Sequence, residues 1–186
     1  SEVPLGQCPT FHGKVNVYYS AAATYFAPSD PSGTGGMRRE HIRATPQWRK
    51  RCPRFDCVLV NSQFQSLDGL WPNQDMPDVA RVQLFFGFVF NGVQYRCALV
   101  HWFDRVGDAV DDETGMWIVK PRSDGDVSAY PMSVIPLDSI LRAAHLIPVF
   151  GNEHVPARLE DHHSLDVFRA FYLNKYADHH AFELLS

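Results

Sequence analysis

Val79-Ala-Arg-Val-Gln-Leu-Phe-Phe-Gly-Phe-Val-Phe90, then Asn91-Gly92, then Val93-Gln-Tyr-Arg-Cys-Ala-Leu-Val-His-Trp-Phe103 is the stretch that decides the fold class. Two runs rich in β-branched and aromatic residues flank an Asn-Gly pair. That pair accepts the left-handed backbone of a two-residue hairpin turn, whose twist matches the paired strands on either side. Working outward, Lys14 to Ser20 (continuing toward Phe26), Val58 to Val60, Gly115 to Lys120 and Ser133 to Leu137 carry further strand character. Three helices are expected among them. Met37 to Ala44 holds good helix formers and stops before Pro46. Asp138 is placed to N-cap Ser139 to His145. Ser164 is placed to cap a helix that brings Leu165, Phe168, Phe171, Tyr172 and Tyr176 to one face. The expected class is therefore α+β: a mostly antiparallel sheet or small β-barrel with short helices, one of them near the C-terminus.

The 186 residues suit a single domain spanning 1–186, and 45% apolar with 20% charged residues excludes a disordered chain. No apolar stretch is long enough to span a membrane. Ser1 to Gly6 lacks the basic and apolar regions of a signal peptide, so a cytoplasmic location is expected, with secretion of a processed form left open. Cys8, Cys52, Cys57 and Cys97 form no CxxC pair. Cys97 reads as a core thiol. The other three lie in polar or Pro-containing surroundings where a bridge is conceivable, but reduced thiols are the expectation.

Charge is unevenly spread. Arg38, Arg39, Arg43, Arg49, Lys50, Arg51 and Arg54 face the single acid Glu40, a local +6 in a chain whose net charge is −4. Arginine suits bidentate phosphate contact, and Trp48 among them offers a stacking face. A solvated surface whose arginines pair with acids elsewhere is the competing explanation. Within the segment, Glu40-His-Ile-Arg43 sets a carboxylate and a guanidinium one turn apart on the expected helix. The same E-x-x-R spacing occurs in plant ribosome-inactivating N-glycosidases. Breaking an adenine–ribose bond builds positive charge on the sugar and negative charge on the base, so a carboxylate and a guanidinium answer the two ends. Glu40 and Arg43 are thus the catalytic candidates. Arg38, Arg39, Arg49, Arg51, Tyr25 and Trp48 are the substrate-binding ones. A helix-surface ion pair is the plainer alternative.

Other constellations are weaker. Asp161-His-His163, Asp178-His-His180 and Glu183 have no H-E-x-x-H spacing, and polar structural histidines explain them better than a metal. Asp108, Asp111, Asp112 and Glu113 read as a solvated acidic loop. His101, Trp102 and Trp117 fall on expected strands and read as core. Gly33-Thr-Gly-Gly36 is neither a dinucleotide fingerprint nor a P-loop, and no cofactor is expected.

Several segments together resemble a domain family of mushroom-forming fungi found in Plavaka-type transposon proteins. They include Gly36-Met-Arg-Arg-Glu-His-Ile-Arg-Ala-Thr-Pro46, Cys97-Ala-Leu-Val-His-Trp-Phe103 and Thr114-Gly-Met-Trp117. Arg142-Ala-Ala-His-Leu-Ile-Pro-Val149 and Asn174-Lys-Tyr-Ala-Asp-His-His-Ala-Phe-Glu183 complete the set. The resemblance covers nearly all of the chain after residue 14. For a free-standing chain it implies similarity to mushroom ribosome-inactivating proteins: a toxin that removes an adenine from large-subunit rRNA. The implied partners are ribosomal RNA and the ribosome, with no membrane and no obligate protein partner. The alternative is a non-catalytic, BAH-like module that binds nucleic acid or chromatin for a transposon protein.

Overall fold

The Asn91-Gly92 hairpin forms as expected, with both turn residues at positive φ (49° and 79°). In the computed structural model, which describes residues 9–29, 33–61, 76–123, 132–151, 155 and 158–186, it is the longest element. Its strands, β6 (Asp78–Phe90) and β7 (Val93–Arg105), pair antiparallel from Val79↔Phe103 to Phe90↔Val93, with a register shift between Val82 and Leu84. Around them a nine-stranded sheet is built from β1 (Asn16–Tyr18), β5 (Cys57–Val60), β8 (Trp117–Pro121), β9 (Met132–Pro136), β10 (Ile140–Ala144), β11 (Leu146–Pro148) and β12 (Phe171–Leu173). Its order is β10-β5-β6-β7-β8-β12-β11, with β1 on β6 and β9 on β7. A second sheet, β2 (Ser20–Phe26), β3 (Met37–Thr45) and β4 (Arg54–Phe55), packs across the first and nearly closes a barrel. Every strand pairing is antiparallel among the described residues.

Two cores share the central strands. Ile42 and Ala44 of β3 pack with Val58, Val60, Val82, Val100 and Trp102 on one side of the large sheet. Cys57, Leu59, Val79, Phe103, Val119, Phe171 and Leu185 pack on the other. Cys57-Val-Leu-Val60 is consequently buried at every position, with successive side chains feeding opposite cores. Each such aliphatic side chain contributes about 1.5–3 kcal/mol through its burial.

Helices are shorter than expected: α1 (Ser164–Val167), α2 (His179–Leu185) and two 3₁₀ turns, Leu137–Ser139 and Asp161–His163. The expected helix over Ser139 to His145 is strand β10, because Ile140 to Ala144 pairs with β5. The helix from Ser164 stops at Val167. Phe171 and Leu173 instead fill the second core from strand β12. Cys97 is half-buried, whereas Cys57 is the core thiol, and burial pushes it up to about 12. Cys52, Cys57 and Cys97 are free thiols; Cys8 lies outside the described residues. Trp102 is core as expected, while Trp117 is half-buried beneath the Arg105 guanidinium. Among the described residues no helix is long and apolar enough to cross a membrane.

Candidate functional site

Met37–Thr45 is a strand, not the expected helix. It pairs along its length with β2, placing Arg38 opposite Tyr25, Glu40 opposite Ala23 and Arg43 opposite Ser20. Seven ladder pairs outweigh the local preference of Met, Arg and Glu for a helix. Side chains alternate along a strand, so Arg38, Glu40, Ile42 and Ala44 turn toward the barrel while Arg39, His41 and Arg43 turn away. Glu40 and Arg43 therefore stand on opposite faces. The candidates divide into two groups.

The inward group surrounds Glu40. Its Oε1 accepts the backbone N–H of Ala143 at 2.5 Å, and its Oε2 accepts the Tyr25 hydroxyl at 3.3 Å. Burial pushes the Tyr25 phenol above its ordinary value, so it is a proton donor at neutral pH. The Tyr25 ring stacks on His180, with centroids 4.5 Å apart, and lies 4.9 Å from the guanidinium carbon of Arg142. Arg142, 4% exposed, donates to both Asp178 oxygens at 2.7 and 2.6 Å. It also donates to His180 Nδ1 at 3.2 Å and to the Ala143 carbonyl at 3.3 Å. A guanidinium only donates, so that Nδ1 carries no proton. Burial, reinforced by the Arg142 charge, holds His180 below its ordinary value, so the ring is neutral at pH 7. Hydrogen bonds from Arg142 hold the Asp178 carboxyl well below the usual carboxylate range. Asp178 also N-caps α2 through the Ala181 N–H, and Arg38 approaches it at 3.9 Å. Arg142 was not a candidate from the sequence, and Asp178 and His180 were singled out there only as part of the His-rich end, not as neighbours of Glu40. The available signal was an arginine inside the otherwise apolar Ile140-Leu-Arg-Ala-Ala144, a buried cation that requires an anion.

The outward group centres on Trp48. The Arg43 guanidinium carbon lies 4.0 Å from the indole centroid, with those of Arg54 and Arg49 at 5.4 and 5.5 Å. The turn from Trp48 to Arg51 closes through Arg51 N–H to Trp48 O, and Trp48 N–H bonds to Cys52 O. Arg49 and Lys50 both adopt positive φ, 50° and 62°. Left-handed backbone costs a non-glycine residue about 1–2 kcal/mol, and such strain gathers at binding sites. The turn presents Arg49, Lys50 and Arg51 alongside Arg39 and His41, making one exposed basic face. Lys50→Gly should leave stability unchanged or raise it by up to about 1 kcal/mol, since relief of strain exceeds the entropic cost of glycine. A thermal unfolding midpoint corresponding to a loss of about 1 kcal/mol or more would contradict a strained turn.

The remaining polar clusters are accounted for by the groups they touch. Asp111 accepts the Thr114 N–H and hydroxyl, closing the acidic turn. His179 pairs with Glu183 on the exposed face of α2, at 3.2 Å, and points away from the His180 cluster. Among the described residues no three His, Cys, Asp or Glu side chains converge to hold a metal ion. Comparison with protein-family models, curated proteins and solved structures found no match.

Proposed function

We propose that the protein is an rRNA N-glycosidase that binds RNA on the Trp48 basic face and uses Glu40 with Arg142. The observation that carries this reading is the meeting of Glu40, Tyr25 and Arg142 at the inner edge of the basic strand β3. Arg142 takes the part that the E-x-x-R spacing assigned to Arg43. Water adds its oxygen to the ribose C1′, the C1′–N9 bond breaks, and the adenine leaves with a proton on the ring. Glu40 stabilises the cationic sugar and takes one proton of the attacking water, which solvent relays to the adenine ring, while the other proton stays on the new C1′ hydroxyl. Four of the five Arg142 N–H groups are engaged by described residues, which leaves one Nη2 proton for the departing purine. The resemblance to edodin, a mushroom ribosome-inactivating protein, supports the same reading.

The test is incubation with intact ribosomes followed by aniline treatment of the rRNA. One discrete fragment, absent without aniline, is expected. A second reading, a non-catalytic nucleic-acid module, is favoured by how completely Arg142 is engaged by its neighbours. Salt-dependent RNA binding with no aniline fragment selects it. In either case, replacing Arg39, Arg49, Lys50 and Arg51 by Gln should lower the slope of log affinity against log salt. The fall is about 0.7–0.9 for each phosphate that the protein no longer neutralises. Arg38 is left intact because it turns inward toward Asp178. An unchanged slope would place the RNA footprint elsewhere.

A further inference from the structure

Beside Trp48 lies a cleft of about 330 Å³ whose other walls include Arg54, Phe55, Arg81, His162 and Leu165. That volume falls at the lower end of ligand-binding pockets, roughly 300–1,000 Å³. Its walls combine two aromatic rings, Trp48 and Phe55, with the guanidinium groups of Arg54 and Arg81 and the carboxylate of Asp56. Arg54 comes from β4 and is tied to Asp56 at 2.7 Å. Arg81 comes from β6, with Phe55 at 5.8 Å from its guanidinium carbon. The two Nη atoms of Arg81 bond to Asp166, yet its buried Nε has no hydrogen-bond partner among the described residues. A buried donor left unpaired is costly.

We propose that this cleft binds a single unpaired nucleotide, its base against the Trp48 indole and its phosphate toward Arg81 and Arg54. The inference rests on the RNA-binding reading above and adds a subsite distinct from the Glu40 cluster. Trp48 supplies the flat, polarisable surface that any base can stack on, and Arg43 braces it at 4.0 Å. The Arg49-Lys50 turn that follows Trp48 directly in the chain has both residues at positive φ. The site selects a nucleotide over a bare nucleoside through charge, and over inorganic phosphate through stacking.

Equilibrium titration of the intact protein with adenosine monophosphate, adenosine and inorganic phosphate tests this. Adenosine monophosphate should bind saturably and more tightly than either fragment. Trp48→Ala should weaken it by about 5- to 150-fold, the range expected for loss of one base stack. Arg81→Gln should reduce nucleotide binding toward that of adenosine. Because Arg81 is largely buried, Arg54→Gln serves as a second variant at a more exposed position. Equal binding of nucleotide and adenosine, or equal affinity in wild type and Trp48→Ala, would overturn the proposal. An aniline fragment from ribosomes without nucleotide binding would sink this subsite alone. Nucleotide binding without a fragment would sink the N-glycosidase alone.

Discussion

Glu40→Gln is expected to fold normally, keep its affinity for RNA and lose adenine release by about 10²–10⁴-fold, the usual contribution of a positioned acid or base. The amide oxygen of Gln can still accept the Ala143 N–H, so the anchor between β3 and β10 survives. What disappears is the negative charge facing the cationic sugar and the capacity to take a proton from water. Glu40→Ala goes further, because the Ala143 N–H and the Tyr25 hydroxyl both lose their acceptor. It should therefore lose stability as well as activity. The comparison separates chemistry from scaffolding. Depurination by Glu40→Gln at the wild-type rate would remove Glu40 from the reaction.

Arg142→Met carries the largest expected loss of stability, about 3 kcal/mol, because it leaves the Asp178 carboxylate with only the more distant Arg38 guanidinium, 3.9 Å away. Asp178 retains some exposure to water, with its side chain 20% exposed, which places the expectation at the lower end for broken buried pairs. Removing both partners in Arg142→Met/Asp178→Ala should recover part of the loss, and urea unfolding of the cycle measures the coupling. The pH dependence has a defined sign. Asp178 titrates lower in the folded state than in the unfolded chain. Its stabilisation is fully present above the ordinary Asp value of about 3.9 and fades as pH falls below it. Arg142→Met should flatten that acid limb. An acid limb identical to wild type would mean that Asp178 does not depend on Arg142.

A helix near the C-terminus was expected and is found as α2, capped by Asp178, whereas the helix from Ser164 ends after one turn. The hairpin and the short Val58–Val60 strand were legible because each is written locally, in a turn pair or an apolar run. Strand β3 was not. Its inward positions are Arg38, Glu40, Ile42 and Ala44, and two charges on the barrel side conceal the alternation that marks a strand. The site was half legible for the same reason. Glu40, Tyr25 and Trp48 stand out among the arginines, but their grouping depends on which face each strand residue takes. Arg142 and Asp178 join Glu40 only through tertiary packing, and nothing within a short window reports that meeting. Strand β10 also looked helical because Leu, Arg and Ala are good helix formers. Pairing with β5 overrode them.

The order of chain synthesis gives the cluster a timing. Glu40 and its anchor at Ala143 are 103 residues apart, and Asp178 lies 36 residues beyond the Arg142 that it holds. A chain emerging from a ribosome exposes the β2–β3 hairpin early, with its carboxylate facing only the Tyr25 hydroxyl of the same hairpin. The guanidinium acquires its fixed direction only when α2 docks, after residue 178 has left the exit tunnel. Pairings this far apart in sequence form slowly. A nascent chain whose residue 178 has not yet emerged therefore carries Glu40 without the assembled Arg142 beside it. Competence to release adenine would arrive only once residue 178 has emerged and α2 has docked.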